Sequence, residues 1–346
     1  MISSSQNPPD RRKRVTVRDI AVAAGVHHTT VSLALRNSPL LNAETRARLR
    51  SMAEEMGYVP DPMLNALVAY RRASFSPRFQ AVLIWINNWP QREELQKNPT
   101  FHDYYQGAQE RARQLGYLLE EIWLRESGMT PEKLRRIIRA RGIQGMILAP
   151  QPFARTWPNI DFEGVPSICF GYSMQPAVLH LVTNHHYHTM GLMFSHLVEL
   201  GYRRIGVLIS EDWDNKVDNT FTAGWLISSR KFADKVVAIP PYQSPLEDTK
   251  KLKKWLGKHK PDVIIGRDDD LDLLERLGYA VPQELGFASL DMNARNSRVS
   301  GVYENSFLIG QKAVDILVGM IHRSECGVPE TPIRTLVEGV WVPGST

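Results

Sequence analysis

The stretch VTVRDIAVAAGVHHTTVSLALRN, residues 15–37, decides how the N-terminal part of this chain folds. Thr16 stands before a short helical pattern and has an acidic residue three positions later, which is typical of a helix N-cap. Ala21 is small where a second helix must approach closely, and Gly25 can adopt the positive φ of a sharp turn. Val31 then packs the second helix against the first. This spacing predicts a helix-turn-helix.

A helix-turn-helix inserts the N-terminus of its second helix into the major groove of DNA. We therefore expect His27, His28 and Thr29 to lie near base edges. Thr30, Ser32 and Arg36 are expected near phosphates. The full set of predicted DNA-contacting residues is Arg14, Thr16, Val17, Arg18, His27, His28, Thr29, Thr30, Ser32, Arg36, Asn42 and Leu67.

The distribution of charge agrees with this prediction. The chain of 346 residues has a formal net charge of +5, and residues 1–72 contain 11 Lys and Arg against 6 Asp and Glu. Residues 73–346 contain 31 of each kind. The basic excess thus lies in the first fifth of the chain, which suits a small module that binds a polyanion, joined to a neutral body with another task.

Composition excludes several other classes of protein. With 43% hydrophobic and 23% charged residues, the sequence is typical of a folded globular protein and not of a disordered, collagen-like or coiled-coil chain. The two cysteines, Cys169 and Cys326, form no CxxC pattern, so neither a disulfide framework nor a zinc site is predicted. No secretory signal and no apolar run of about 20 residues is found. We therefore expect a cytoplasmic protein without membrane contact.

The body of the chain, from Gln80 onward, alternates apolar runs of strand length with amphipathic helical stretches, which predicts mostly parallel sheets. The tripeptide Leu-Gly-Tyr occurs three times, and each time its glycine is expected to end a helix in the left-handed conformation. The predicted strands are residues 81–86, 145–149, 167–170, 205–209, 263–266 and 286–290.

Residues 15–68 resemble the DNA-binding domain of the LacI/GalR family of bacterial transcriptional regulators, and the match includes NAETR at 42–46 and MGYVP at 56–60. The resemblance implies a dimer in which Leu67 of each subunit enters the minor groove when the hinge folds on DNA. The family usually has serine at the position of His27 and often a polar or arginine side chain at that of Leu33. The operator sequence therefore cannot be copied from a relative.

The body resembles the periplasmic-binding-protein-like core of the same family, through RGIQGMILAP at 141–150, HLVELGYRRI at 196–205 and VPQELGFASLD at 281–291. The implied fold is an N-terminal all-α, lambda-repressor-like helix-turn-helix domain plus an α/β two-lobed periplasmic-binding-protein-like domain with mostly parallel sheets. We assign residues 1–14 to a disordered basic arm, 15–59 to the helix-turn-helix domain, 60–79 to a hinge helix and linker, and 80–346 to an effector-binding and dimerisation domain.

The resemblance implies a small-molecule cleft between the two lobes, and ligands of open α/β sheets bind beyond the carboxyl ends of strands. Polar groups beside flat aromatic rings suit a sugar-like effector. Phe221 stands where the family often has an arginine that binds ligand hydroxyls, which weakens the sugar assignment without removing the cleft. The predicted effector-binding residues are Asn87, Trp89, Tyr172, Asp212, Trp213, Phe221, Arg267, Asp268 and Asp291.

Other motifs are interpreted as structural. Adjacent histidines in HHYH at 185–188 point in different directions, and no acidic or cysteine ligand stands at helical spacing beside them, so no metal site is predicted. The segment GYSMQ at 171–175 lacks the closing glycine of a nucleophile elbow, and no phosphate-binding or zinc-protease motif occurs. We predict no catalytic residue, no cofactor and no enzyme activity.

The sequence thus predicts a homodimeric transcriptional repressor that binds a palindromic double-stranded operator and senses a small molecule, with a carbohydrate as the expected effector. Two alternatives remain. One is a small-molecule binding protein of the transport type, and the other is an enzyme tethered to DNA.

Overall fold

The computed structural model describes residues 15–35, 40–58, 81–292 and 298–346. The chain divides into an N-terminal unit that ends at Ser76 and a core that begins at Pro77 and comprises nearly all of the rest. The predicted basic arm at 1–14 and hinge at 60–79 lie outside the described residues. The same is true of three predicted DNA-contacting residues, Arg14, Arg36 and Leu67.

The N-terminal unit contains three short helices, α1 (Val17–Ala24), α2 (His28–Leu35) and α3 (Ala43–Glu55). Gly25 ends α1 with φ 64°, and Thr16 forms a reciprocal capping box with Asp19 at its start. The predicted N-cap and the predicted turn glycine of α1 are both confirmed. The interior of the unit consists of Ile20, Ala21, Val31, Ala34, Leu49 and Ala53, which pack from all three helices. Ala21 and Val31, whose spacing predicts the helix-turn-helix, are therefore also residues of its core.

The core contains two α/β lobes. The first has a six-stranded sheet in the order β10-β5-β4-β3-β1-β2, and the second has a five-stranded sheet in the order β11-β9-β8-β7-β6. The strands are β1 (Ala81–Asn87), β2 (Tyr117–Trp123), β3 (Ile143–Leu148), β4 (Ser167–Phe170), β5 (His180–Asn184), β6 (Ile205–Val207), β7 (Val263–Gly266), β8 (Gly286–Met292), β9 (Ser300–Tyr303), β10 (Arg334–Val337) and β11 (Val340–Val342).

Every pairing in the first sheet is parallel, and in the second only β11 runs antiparallel to its neighbour β9 among the described strands. The prediction of mostly parallel sheets is thus confirmed. Helices cover the sheets: α4 (Glu94–Lys97), α5 (Pro99–Gln114), α6 (Pro131–Arg141), α7 (His186–Glu199), α8 (Glu211–Lys216), α9 (Thr220–Lys231), α10 (Thr249–His259), α11 (Asp268–Arg276) and α12 (Ser306–Arg323).

Alternate residues of the central strands pack on opposite faces of each sheet. In β1, Leu83 and Trp85 belong to one apolar cluster, and Ile84 and Ile86 belong to another. Such a strand reads as a continuous apolar run because both of its faces are buried. This explains why the sequence identifies the central strands and misses the edge strand β2, in which Glu120 and Glu121 interrupt the run.

The three Leu-Gly-Tyr glycines all adopt the left-handed conformation, with φ of 81° at Gly116 and 99° at both Gly201 and Gly278. The prediction that each ends a helix is confirmed. The strand limits differ slightly from expectation, since β3 begins two residues earlier than predicted and β6 ends two residues earlier. The shorter β6 reflects a change of partner, because Leu208 forms an isolated bridge with Tyr242.

Three short connections join the two lobes. One follows β5 and leads into α7, one follows β9 and leads into α12, and one lies between β10 and β11. Among the described helices, none combines the length and apolar character that a membrane span requires.

Candidate functional site

The exposed N-terminus of α2 carries a group of polar side chains. His27 precedes the helix, and its carbonyl oxygen accepts a hydrogen bond from the backbone N–H of Thr30 at 2.9 Å. Its Nδ1 atom lies 2.8 Å from the hydroxyl of Thr29, and its ring centroid lies 4.1 Å from that of His28. His27, His28 and Thr29 are all exposed. These are the residues that sequence analysis assigns to base edges.

The other predicted DNA-contacting residues have different local roles. Thr16 and Asn42 are exposed N-caps whose side-chain oxygens accept from the backbone of Asp19 at 3.3 Å and of Thr45 at 2.8 Å. Arg18 is exposed, whereas Val17, Thr30 and Ser32 are half-buried. The side-chain oxygens of Thr16 and Asn42 are therefore engaged as helix caps in this structure.

A second candidate site lies between the two lobes of the core. It is a cavity of about 250 Å³ at the ends of the parallel strands, where ligands of open α/β sheets bind. Residues from both lobes form its walls: Trp89, Asn98, Thr100, Phe101, Tyr104, Pro150, Gly171, Tyr172, Ser173, Thr183, Asn184, His186, Trp213, Lys216, Val217, Phe221, Arg267, Asp291 and Glu304.

Aromatic rings form two opposed walls of this cavity. In the first lobe, Trp89 meets Phe101 edge-on with ring centroids 6.0 Å apart, and its Nε1–H donates to the carbonyl of Pro150 at 2.8 Å. In the second lobe, Trp213 packs against Phe221 with centroids 4.9 Å apart. Because the Trp89 ring is fixed through its N–H, it presents a rigid flat surface to the cavity.

Lys216 extends from α8 of the second lobe toward this aromatic wall. Its Nζ lies 4.9 Å from the ring centroid of Trp89 and 5.2 Å from that of Phe101, and it donates to the carbonyl of Pro152 at 3.2 Å. Burial, followed by the charge of Arg267, lowers the pKa of Lys216 to about 8. Lys216 forms no ion pair within 4.0 Å with any carboxylate of the described residues, so a cation faces the cavity without a counter-ion.

The second lobe also contributes an arginine that is paired with a carboxylate. Arg267 Nε lies 3.1 Å from Asp291 Oδ2, and the guanidinium lies 5.3 Å from the ring centroid of Trp213. Glu304 is buried and accepts a hydrogen bond from the side chain of Asn184. Burial and the nearby charge of Asp291 raise the pKa of Glu304 well above its usual range. A protonated Glu304 would offer a ligand a hydroxyl donor.

His186, the first residue of α7, supplies a neutral polar group. Burial, with a smaller effect of His185, lowers its pKa to about 3. Its Nδ1 is buried and has no hydrogen-bond partner in the described structure. Phe221 packs edge-on against the ring, with centroids 4.8 Å apart. An unsatisfied ring nitrogen beside a cavity is a position that a ligand hydroxyl can complete.

The structure brings together six of the nine predicted effector residues at the cavity: Trp89, Tyr172, Trp213, Phe221, Arg267 and Asp291. The other three do not line it. Asn87 instead donates to the Arg92 carbonyl and to Glu121, which holds the turn after β1. Asp212 is exposed on the first turn of α8, and the backbone N–H of Asp268 donates to Asp291 as α11 begins.

Sequence analysis does not identify Lys216, His186, Glu304 or Asn184 as cavity residues. Lys216 stands three positions after Trp213 on α8, so helical spacing was a usable signal for it. Asn184 is the last residue of β5 and Glu304 follows β9, two strands that the apolar pattern does not reveal. Two of the four missed residues are therefore placed by strands that the sequence does not predict, and the other two lie on helices.

Known proteins resemble this chain both in the N-terminal unit and in the core. Residues 16–61 match the family model described as bacterial regulatory proteins, lacI family. The HTH-type transcriptional repressor PurR of Haemophilus influenzae strain Rd is 19% identical over 356 aligned positions, which cover 94% of this chain and 99% of the repressor. The HTH-type transcriptional regulator MalR of Streptococcus pneumoniae TIGR4 is 23% identical over 89% of this chain and 93% of its own.

Among solved structures, the lac repressor dimer bound to operator and the anti-inducer ONPF superposes with a TM-score of 0.54 at 17% identity. The alignment covers 96% of this chain and 99% of that one, and a CelR–cellobiose complex gives the same values. A helix-turn-helix unit followed by a two-lobed, periplasmic-binding-protein-like core defines a DNA-binding transcriptional regulator. Residues 16–61 carry the DNA-binding domain of the lacI family of bacterial regulatory proteins, and the chain aligns over nearly its whole length with repressors of that type.

Proposed function

We propose that this regulator represses transcription as a homodimer on a roughly palindromic operator in the cytoplasm, and that a small carbohydrate-like molecule with an acidic group controls it from the interlobe cavity. The operator symmetry follows from a two-fold dimer, because each helix-turn-helix reads one half-site. The same proposal includes a basic arm at residues 1–14, a hinge at 60–79 and insertion of Leu67 into the minor groove.

The observation that carries the choice of effector is Lys216. A partly buried ammonium against two aromatic rings, without a carboxylate partner among the described residues, is a site that a carboxylate or phosphate of the ligand would complete. The flat rings of Trp89 and Trp213 suit the C–H face of a sugar, and Arg267, Asp291 and Glu304 suit its hydroxyls. The cavity of about 250 Å³ favours a monosaccharide-sized molecule over an oligosaccharide.

The DNA part of the proposal is tested by selecting bound sequences from a random double-stranded pool with the purified full-length protein at physiological salt. We expect enrichment of an inverted repeat with a flexible central step. Enrichment of single, unpaired half-sites would contradict the dimer. A selection that yields no sequence, with and without a metabolite mixture, would contradict specific operator recognition.

The effector part is tested with a matched series of ligands: glucose, glucuronate and glucose 6-phosphate. Calorimetry on the full-length protein should give tighter binding for one of the two anions than for the neutral sugar, and the preferred anion distinguishes a carboxylate from a phosphate. Equal affinities for all three, or a preference for glucose, would reject the acidic effector and leave the regulator assignment intact.

A transport-type binding protein is the second candidate for the core, since such proteins use the same two-lobed fold. The helix-turn-helix unit argues against this candidate, because a transport protein does not need a DNA-binding helix. For the enzyme alternative, incubation of the protein with each bound ligand should leave the ligand chemically unchanged.

A further inference from the structure

A second polar cluster lies at the connections between the two lobes. His185 and His188 each direct Nδ1 at the carboxylate of Glu338, with His185 2.9 Å from Oε1 and His188 2.6 Å from Oε2. The two ring centroids lie 5.2 Å apart. One candidate ligand atom from each of the three residues can be chosen so that all lie within 4.8 Å of one another. Three donor groups therefore converge on one point of the surface.

We propose that His185, His188 and Glu338 form a binding site for a divalent transition-metal ion, with Zn²⁺ as the first candidate. Imidazole nitrogen and carboxylate oxygen are the donors that Zn²⁺, Ni²⁺ and Cu²⁺ accept, whereas Mg²⁺ and Ca²⁺ prefer oxygen alone. Two imidazoles and one carboxylate supply three protein ligands. Water or a ligand atom would then occupy the remaining coordination position.

The side chains have the freedom that metal entry requires. The side chain of His188 is 61% exposed and that of Glu338 is 59% exposed, whereas that of His185 is 28% exposed. Bonds of about 2.0–2.2 Å to a central ion hold neighbouring ligand atoms somewhat farther apart than the present hydrogen bonds do. Because Glu338 is exposed, its carboxylate can move outward by the small amount needed, while His185 stays in place at the start of α7.

The backbone around the cluster ties all three interlobe connections together. The N–H of His185, after β5, donates to the carbonyl of Val337 at 3.0 Å. The carbonyl of Glu338 accepts from the side-chain amide of Asn305, which lies in the connection after β9, at 2.8 Å. An ion held by His185 and Glu338 would thus cross-link two connections that are already joined by a backbone hydrogen bond, and that the side chain of Asn305 links to the third.

The proposed site differs from the sequence prediction, which places no metal at residues 185–188. No acidic residue stands at helical spacing from these histidines, and the acidic ligand is instead Glu338, which lies about 150 positions later in the chain. The prediction that neighbouring histidines diverge is correct for His186, which faces the cavity. His185 and His188, three positions apart at the first turn of α7, lie on the same side.

The expected consequence is a bias on lobe movement. Hinge closure in two-lobed proteins is absorbed by backbone rotation in a few connecting residues, and these are such residues. An ion that links His185 and His188 to Glu338 would favour the present arrangement of the connections over any that separates them. A metal ion would therefore stabilise the core, and it would alter effector affinity if the effector prefers one arrangement.

The test uses full-length protein stripped with a chelator and then titrated with Zn²⁺ by calorimetry, with thermal unfolding measured in parallel. We expect one high-affinity ion per chain and an increase in the melting temperature of the core. Glu338→Gln keeps a hydrogen-bond acceptor and removes the charge, and His188→Ala removes one imidazole. Each substitution should weaken Zn²⁺ binding by about 100-fold or more, with little change in the melting temperature of the metal-free protein.

The matched control uses His27 and His28, an adjacent exposed pair of histidines in the N-terminal unit. The double substitution His27→Ala and His28→Ala removes two adjacent histidines without touching the cluster, and it should leave the high-affinity Zn²⁺ site unchanged. Zn²⁺ binding that survives Glu338→Gln and His188→Ala, or that disappears in the His27 and His28 variant, would overturn the proposal. Absence of Zn²⁺ binding at micromolar concentrations in the unaltered protein would do the same.

If one substitution impairs folding, visible absorption of the unaltered protein loaded with Co²⁺ provides an independent measurement. A four- or five-coordinate ion bound by imidazole and carboxylate gives clear bands, whereas a hexahydrated ion gives very weak ones. Strong bands that vanish after addition of one equivalent of Zn²⁺ support the site, and a spectrum like that of free Co²⁺ contradicts it.

Discussion

The N-terminal helical unit and the interlobe cavity both present polar side chains to a ligand, yet they are built from very different amounts of sequence. The unit places His27, His28 and Thr29 with one turn and one helix, inside a continuous stretch of 23 residues. The cavity draws on residues from Trp89 to Glu304, brought together by two sheets and the helices between them. A local site depends on a few backbone conformations, whereas a distributed site depends on the packing of whole lobes.

This difference predicts where a single backbone change has its largest effect. Gly25 has φ 64°, and no atom lies within 4 Å of the position that a Cβ would take, so only the backbone conformation restricts the residue. Gly25→Val forces a β-branched residue into the left-handed region, at a cost of roughly 1–3 kcal/mol. Since the unit has a small core, operator binding measured by fluorescence anisotropy should fall by roughly 100-fold.

The control for that prediction is Gly25→Asn, because asparagine tolerates the left-handed conformation. This variant should keep most of the operator affinity. Both variants should bind the effector as the unaltered protein does, since the substitution lies outside the core. Simultaneous loss of operator and effector binding in Gly25→Val would show that the two units do not fold independently.

The comparable single substitution in the cavity removes the charge of Lys216. Lys216→Met keeps an unbranched side chain against Trp89 and Phe101 and removes the ammonium. Loss of one partner of a buried charge pair commonly costs about 2–5 kcal/mol, so calorimetry should show affinity for the acidic effector reduced by at least about 30-fold. Affinity for the neutral sugar should change little. Equal losses for both ligands would mean that Lys216 acts through packing.

The sequence predicts the N-terminal unit more completely than it predicts the interlobe cavity. The turn at Gly25, the cap at Thr16 and the core residue Val31 follow from spacing alone, because short-range geometry determines them. In the core, strands buried on both faces are recognisable, whereas β2, β5 and the last three strands are short or carry polar residues. Lys216, His186 and Glu304 escape sequence analysis because their common position depends on how the two lobes face each other.

Glu338 is a further residue whose partners cannot be predicted from the sequence. It is an exposed acidic residue between two short edge strands, and nothing near it in the sequence indicates histidine partners. Only the parallel pairing of β10 with β5, in which Val337 lies opposite Asn184, brings it beside His185. Contacts of this kind are set by strand register over long sequence separations, and local patterns carry no information on them.

A smaller effect on effector affinity is expected from pH. The pKa of Lys216 is lowered to about 8, so its ammonium form is largely present at pH 7 and largely absent at pH 9. An anionic effector requires the charged form, and its affinity should therefore fall by about 10-fold between pH 7 and pH 9. Calorimetry in Lys216→Met should show no comparable fall. A constant affinity in the unaltered protein would contradict a role for the ammonium.

The smallest expected effect compares equivalent helix caps in the two regions. Thr16 caps α1 in the helical unit, and Thr130 caps α6 in the core by accepting from the backbone N–H of Lys133 at 3.2 Å. Replacing either threonine with alanine should cost about 1 kcal/mol of local stability. Thr16→Ala should weaken operator binding by up to about 5-fold, because the cap supports the smaller core and a helix of the DNA-reading unit. Thr130→Ala should leave operator binding unchanged and lower only the melting temperature of the core, and equal effects on operator binding would show that the two units share their stability.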